Sequence, residues 1–265
     1  MNILKAMLLG IIQGFSEFMP VSSSGNLYFF SNLFNIEAYT LSFDIIVHTA
    51  SLLALIFVYF RELAGMLRMP VTKKLKLVGA GILPAFVLSV LFQSKIDGFF
   101  IGSKAIGLCY IFSGAVIFYE TMYRPGKKTF KQMKLKDALI IGGFQAVGII
   151  PAVSRTGLAM AGGLQRGFDG KTSIRFAYLM AVPAMLGRIF SNLIQTYQSS
   201  GDAVTDVFGF FPTVFGFIAS FIASVVAIRL MQMIASKGKF RAFAYYMWVI
   251  GVIVLADMLF INKIF

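Results

Sequence analysis

The sequence predicts an all-α integral membrane protein, a polytopic helical bundle with two re-entrant broken hairpins in an inverted-topology repeat. Three observations lead there. First, 58% of the 265 residues are hydrophobic and 13% are charged, where soluble domains carry roughly a quarter charged residues; mean hydropathy is +0.82. Second, the net charge of +13 lies mostly in short links between apolar blocks. That is how positive residues distribute in cytoplasmic loops, and it argues against a nucleic-acid-binding face. Third, two apolar blocks are broken by polar runs containing Pro and Gly, each flank being too short to span about 30 Å of hydrocarbon. One domain, 1–265, accounts for the whole pattern, with repeat halves at about 1–131 and 132–265.

In chain order, the first broken block covers residues 3–34, and Phe43–Phe60 is long enough to cross. A link with Arg61, Arg68, Lys73, Lys74 and Lys76 follows, then a short crossing over Leu77–Phe92 and a link with Lys95, Asp97 and Lys104. Ala105–Met122 crosses again, before the most basic link: Arg124, Lys127, Lys128, Lys131, Lys134 and Lys136. The second broken block is Ala138–Gln165. Ser173–Ile194 crosses to a link holding Asp202 and Asp206 with no Lys or Arg. Phe210–Ile234 and Ala242–Ile261 complete the chain, joined through Lys237, Lys239 and Arg241. The single cysteine, Cys109, excludes an internal disulfide and a multi-cysteine metal site. Lys5 precedes an apolar run with no small-residue cleavage signal, so the N-terminus is read as mature protein.

Placing the three most basic links in the cytoplasm puts residues 34–42 and 199–208 outside. The block 138–165 then starts and ends inside, while 3–34 dips in from outside. A shift of 132 residues superposes Gly10 on Gly142, Gln13 on Gln145, Ser22 on Ser154, Ser24 on Thr156 and Gly25 on Gly157. Opposite entry sides and internal similarity together indicate an inverted repeat, whose shared site lies near the midplane.

The candidate site residues fall in the two breaks. A carboxylate, an amide and three consecutive hydroxyls within Gln13–Asn26 are costly at membrane depth, which makes them a site by default. Pro20 and Gly25 interrupt helix there, freeing backbone N–H groups to meet an anion. Gln13 and Glu17, four apart, share a helix face. In the second break, Ser154-Arg155-Thr156-Gly157 offers an anion a fork of donors. Plainer readings stand beside these: a structural Glu17–Arg155 pair, serines serving only as small packing residues, and His48 as a hydrogen-bonded packing histidine within its crossing.

Gln-Gly-Phe-Ser-Glu-Phe-Met-Pro-Val-Ser-Ser-Ser-Gly (13–25) and Pro-Ala-Val-Ser-Arg-Thr-Gly (151–157) resemble the two signatures of the undecaprenyl-diphosphate phosphatase family, the bacitracin-resistance type of bacterial membrane enzyme. The resemblance runs end to end and includes Ala181-Val182-Pro183. It implies hydrolysis of a C55 polyprenyl diphosphate to its monophosphate in the bacterial plasma membrane, recycling the carrier for wall polymers. It further implies an outward-facing site, a divalent metal (Mg²⁺ or Ca²⁺) on Gln13 and Glu17, and a possible homodimer. Carried over residue by residue, Glu17, Ser23, Arg155 and His48 are the catalytic candidates. Ser22, Ser24, Gly25, Ser154, Thr156 and Gly157 are the substrate-binding ones. Either Ser23 or a water activated by Glu17 attacks phosphorus. The chain departs from the signatures at Gln13, where many members have Glu; at Asn26, where His is usual; and at Ala152, where Gly is common and the change reads as one of packing. His48 sits where other members have Gln or His. A polyprenyl-phosphate flippase of the same architecture is the alternative.

Overall fold

The computed structural model describes residues 2–34, 36, 41–67, 72–100, 105–122, 126–200 and 209–261. Of the link residues named above, Arg68, Lys104, Arg124, Asp202, Asp206 and the side chain of Asp97 lie outside that description. Ten α-helices follow one another among the described residues: α1 (Ile3–Phe18), α2 (Ser23–Leu33), α3 (Leu41–Leu67), α4 (Lys73–Phe100), α5 (Ala105–Thr121), α6 (Leu135–Val147), α7 (Arg155–Gln165), α8 (Gly170–Ser200), α9 (Phe210–Lys237) and α10 (Arg241–Ala256). No β-strand occurs among them. The protein is therefore an all-α, multi-pass membrane protein.

Helices α3, α4, α8, α9 and α10 are long and apolar enough to cross a membrane, whereas the apolar stretch of α5, Ala105–Glu120, is shorter. Four of the long helices, α3, α4, α8 and α9, overrun the bounds read from hydropathy. Hydropathy stops where hydrocarbon would stop, but the helix continues into polar residues that pair with neighbours. Glu62 of α3 binds Lys74 of α4 at 2.9 Å and Arg175 of α8 at 2.7 Å. Arg166, just past α7, binds Asp137 of α6 at 2.9 Å. These half-exposed pairs contribute little stability each, yet they mark one end of the bundle. Asp44 lies in the first turn of α3, away from Glu62, and Arg188 lies past the middle of α8, away from Arg175.

Both broken blocks are helix–break–helix units, and the breaks have local causes. Met19 precedes Pro20 and is forced extended, with φ −90° and ψ 152°, which ends α1. Ser22 then caps α2, its hydroxyl accepting from the Gly25 N–H at 3.4 Å. In the second unit α6 ends at Gly148, and Ser154 caps α7 by accepting from the Gly157 N–H at 3.1 Å. The two caps are the residue pairs superposed by the 132-residue shift. Ala152, read above as a packing change, has φ +63°. Its issue is backbone conformation, because this left-handed region suits glycine and strains alanine.

Packing pairs α1 with α9, α6 with α4, α3 with α8 and α5 with α10. Exchanging α1–α5 for α6–α10 turns the first pair into the second and leaves the last two unchanged. Small residues allow close approach where no hydrophobic drive separates helix from lipid. A methyl on Gly10 would fall 2.3 Å from the Gly216 carbonyl, and one on Gly142 would fall 2.0 Å from the Gly81 carbonyl.

Candidate active site

Glu17 occupies the last turn of α1 and Arg155 the first turn of α7, and both line one cavity with Gln145 and Thr156. Ala177, Ala181 and Ala184 of α8 line it as well. Gln13, one turn before Glu17, donates from Nε2 to Glu17 Oε2 at 3.0 Å. Ser23, at the start of α2, interacts with the same carboxylate. Arg155 acts electrostatically on Glu17 and makes no ion pair of its own among the described residues. The plain reading of a direct Glu17–Arg155 pair as structural glue is thus not what holds the breaks together.

What joins the breaks is backbone and small atoms. Thr156 Oγ1 donates to the Glu17 carbonyl at 3.1 Å, and the Tyr178 hydroxyl donates to the neighbouring Phe18 carbonyl at 2.8 Å. A methyl on Gly25 would fall 2.5 Å from the Tyr110 hydroxyl and 3.0 Å from the Ala152 Cα, and one on Gly157 would fall 2.9 Å from Pro20 Cβ. Each glycine of one break therefore meets the other break. Ser22 and Ser154, expected to bind substrate, have their hydroxyls engaged as caps. They shape the helix starts whose free N–H groups can meet an anion. Ser24 lies 3.5 Å from Ser22, oxygen to oxygen, and stays partly exposed.

His48 of α3 is buried and points into this cluster. Its Nδ1 lies 2.9 Å from the Asp44 carbonyl and 3.2 Å from Asp44 Oδ1. A carbonyl only accepts, so Nδ1 carries a proton and Nε2 is left to face Glu17 Oε2 at 3.6 Å. Asp44 in turn accepts from Arg188 and Asn192 of α8. Reading the sequence missed Asp44, Arg188 and Asn192. The signal was available, since Asp44 and Arg188 are charges within apolar crossings, the criterion that singled out Glu17.

Metal-binding potential rests on oxygen. No cluster of three or more His, Cys, Asp or Glu suited to a metal occurs among the described residues. Gln13 Oε1 and Gln145 Oε1 are nevertheless buried acceptors without a hydrogen-bond partner. One carboxylate with neutral carbonyls suits Mg²⁺ or Ca²⁺, which complete their shells with water and phosphate oxygens. The residues present fit such an ion.

Comparison with known proteins decides the lineage. The family described as "Bacitracin resistance protein BacA" matches residues 6–253. The chain belongs to the BacA family. Among curated relatives, the chain is 30% identical over 256 residues to "Undecaprenyl-diphosphatase" of Carboxydothermus hydrogenoformans, covering 96% of this chain and 97% of the relative. It is 31% identical over 255 residues to "Undecaprenyl-diphosphatase 3" of Bacillus cereus, with the same coverage. "Undecaprenyl-diphosphatase" of Methanobrevibacter smithii is 29% identical over 275 residues. For this BacA-family chain the Asn26 departure now has a structural account. Asn26 Nδ2 donates to the Val21 and Ser22 carbonyls at 2.8 and 2.9 Å, and its Oδ1 accepts from the Tyr246 hydroxyl. It fastens the first break to α10 and carries no proton chemistry.

Proposed function

We propose that this BacA-family chain hydrolyses undecaprenyl diphosphate to the monophosphate and phosphate, recycling the lipid carrier of wall polymers and conferring bacitracin resistance. The observation that carries this reading is the convergence of Glu17 and Arg155, from two separate breaks, on one cavity, with Ser23 acting on the Glu17 carboxylate. Hydrolysis of a phosphoanhydride is mostly positioning and charge neutralisation. Arg155 presents forked donors to the terminal phosphate, and the starts of α2 and α7 add oriented N–H groups. The Ser23 hydroxyl attacks phosphorus, its proton passes to the Glu17–His48 pair, and the lipid monophosphate leaves; water then hydrolyses the phosphoserine. A divalent ion held by Glu17, Gln13 and Gln145 would supply positive charge to the phosphate oxygens.

Sidedness follows from the links. With the Lys-rich ends of the bundle cytoplasmic, the Asp44–Arg188 end faces outward in the plasma membrane, and the two hairpins enter from opposite faces. A homodimer belongs to the same reading, and cross-linking in membranes tests it. The activity is tested with purified protein and C55 diphosphate, with Mg²⁺ or with chelator. Release of phosphate with formation of C55 monophosphate is expected. Lipid transfer without phosphate release would replace this reading with the flippase.

A further inference from the structure

We propose that Arg188 is a second anion-binding residue of this site, holding the lipid-side phosphate of a polyprenyl diphosphate while Arg155 holds the terminal one. The proposal rests on the phosphatase reading for its ligand, and on the following geometry for its place.

Ala177, Ala181, Ala184 and Met185 line the cavity along one face of α8. Arg188 is four residues past Ala184 and three past Met185, so helical spacing carries that face on to Arg188 at the rim, one turn past the lining residues. Its guanidinium meets Asp44 twice, Nη2 to Oδ1 and Nε to Oδ2, both at 3.3 Å. Charge-assisted forks normally close to about 2.7–2.9 Å, so this one is longer than usual. Asp44 has other donors: Asn192 Nδ2 at 2.7 Å and the His48 Nδ1 side at 3.2 Å. It can therefore release Arg188 without being left a bare buried charge. The Arg188 side chain is 24% exposed against 4% for Asp44, which makes the arginine the accessible member of the pair.

Arg155 and Arg188 also act on each other as like charges, and both act on Glu17. A brace between α3 and α8 needs one cation and one anion, and gains nothing from a second guanidinium close enough to repel the first. One intramembrane arginine is already costly. A ligand with two linked phosphates removes the repulsion, because each phosphate carries about one to two negative charges. Since the terminal phosphate must sit by Ser23 and Arg155, the rim position falls to the phosphate that bears the lipid.

The test uses purified full-length protein, farnesyl diphosphate for turnover, and farnesyl monophosphate for calorimetric binding. Losing a charged hydrogen bond costs about 1.5–3 kcal/mol, roughly 10- to 100-fold. Arg188→Gln is expected to raise KM and weaken monophosphate binding by that factor, with kcat within about threefold and inhibition by inorganic phosphate unchanged. Arg188→Lys keeps the pair with Asp44 but loses the fork, and is expected to weaken binding several-fold; it decides the matter if Arg188→Gln does not fold. Unchanged monophosphate binding in the folded variants would overturn the proposal, as would a loss confined to kcat. If wild-type protein binds farnesyl monophosphate through Arg188 but releases no phosphate, the subsite stands and the phosphatase reading falls.

Discussion

His48 and Glu17 face each other across α3 and α1, with Nε2 3.6 Å from Oε2. With Nδ1–H donated to Asp44, the ring can take a proton only on the side facing Glu17. We expect His48→Gln, which keeps a polar group but cannot titrate, to lower kcat. General acid–base groups are worth about 10²–10⁴-fold, and a shared one falls at or below the low end. Steady-state phosphate release by purified wild-type and variant protein checks this. Equal rates would return His48 to packing.

Gly148 lies under Arg155: a methyl there would sit 2.4 Å from Arg155 Cγ. Gly148→Ala must displace the arginine stem, and misplacement by about 1 Å can cost on the order of 10²-fold in rate. Gly143→Ala, with nothing within 4 Å of the added methyl, is the matched control. The expected outcome is a loss of at least tenfold for the first, a normal rate for the second, and unchanged thermal unfolding for the control.

Ala152 tests the backbone argument by stability. Left-handed alanine costs about 1–2 kcal/mol, while glycine's extra chain entropy and a lost buried methyl together cost about the same. Ala152→Gly should therefore be nearly neutral. Ala159→Gly, in α7 and equally buried, has no such offset and should lose over about 1 kcal/mol. Thermal unfolding in detergent distinguishes them.

The breaks were legible because Glu17, the serines and Arg155 violate the apolar pattern beside Pro and Gly, a local signal. The cap equivalence of Ser22 with Ser154 was visible as a 132-residue shift, although only geometry shows the hydroxyls engaged on Gly25 and Gly157. Asp44 and Arg188 were not singled out, since each is one charge in a long apolar run and its partner is 144 residues away. Ala152 was misread because sequence shows a missing glycine but not the sign of φ. Helix ends such as Leu67 and Ser200 escaped because polar helix beyond the hydrocarbon leaves no hydropathy signal.

Sidedness is open to labelling in intact cells in a Cys109→Ala background. Cysteines at Tyr39, which lies outside the described residues, and at Ser199 should react with an impermeant reagent. Cysteines at Lys136 and Lys239, both exposed, should react only after the membrane is opened. Gly126 and Gly238 are unsuitable positions: a side chain on the first meets the Gly167 carbonyl at 1.9 Å, and the second has φ +65°. Labelling of Tyr39→Cys and Lys136→Cys from the same side would contradict the inverted arrangement.

The central claim is that two breaks, 138 residues apart at Glu17 and Arg155, make one phosphate-releasing site. Phosphate release from C55 diphosphate by folded Glu17→Ala and Arg155→Ala proteins tests it most directly. The account predicts that each single change lowers release by at least about 10³-fold, because Arg155 neutralises the reacting phosphate and Glu17 takes the Ser23 proton and would hold the metal ion. Near-normal release by Arg155→Ala would contradict it.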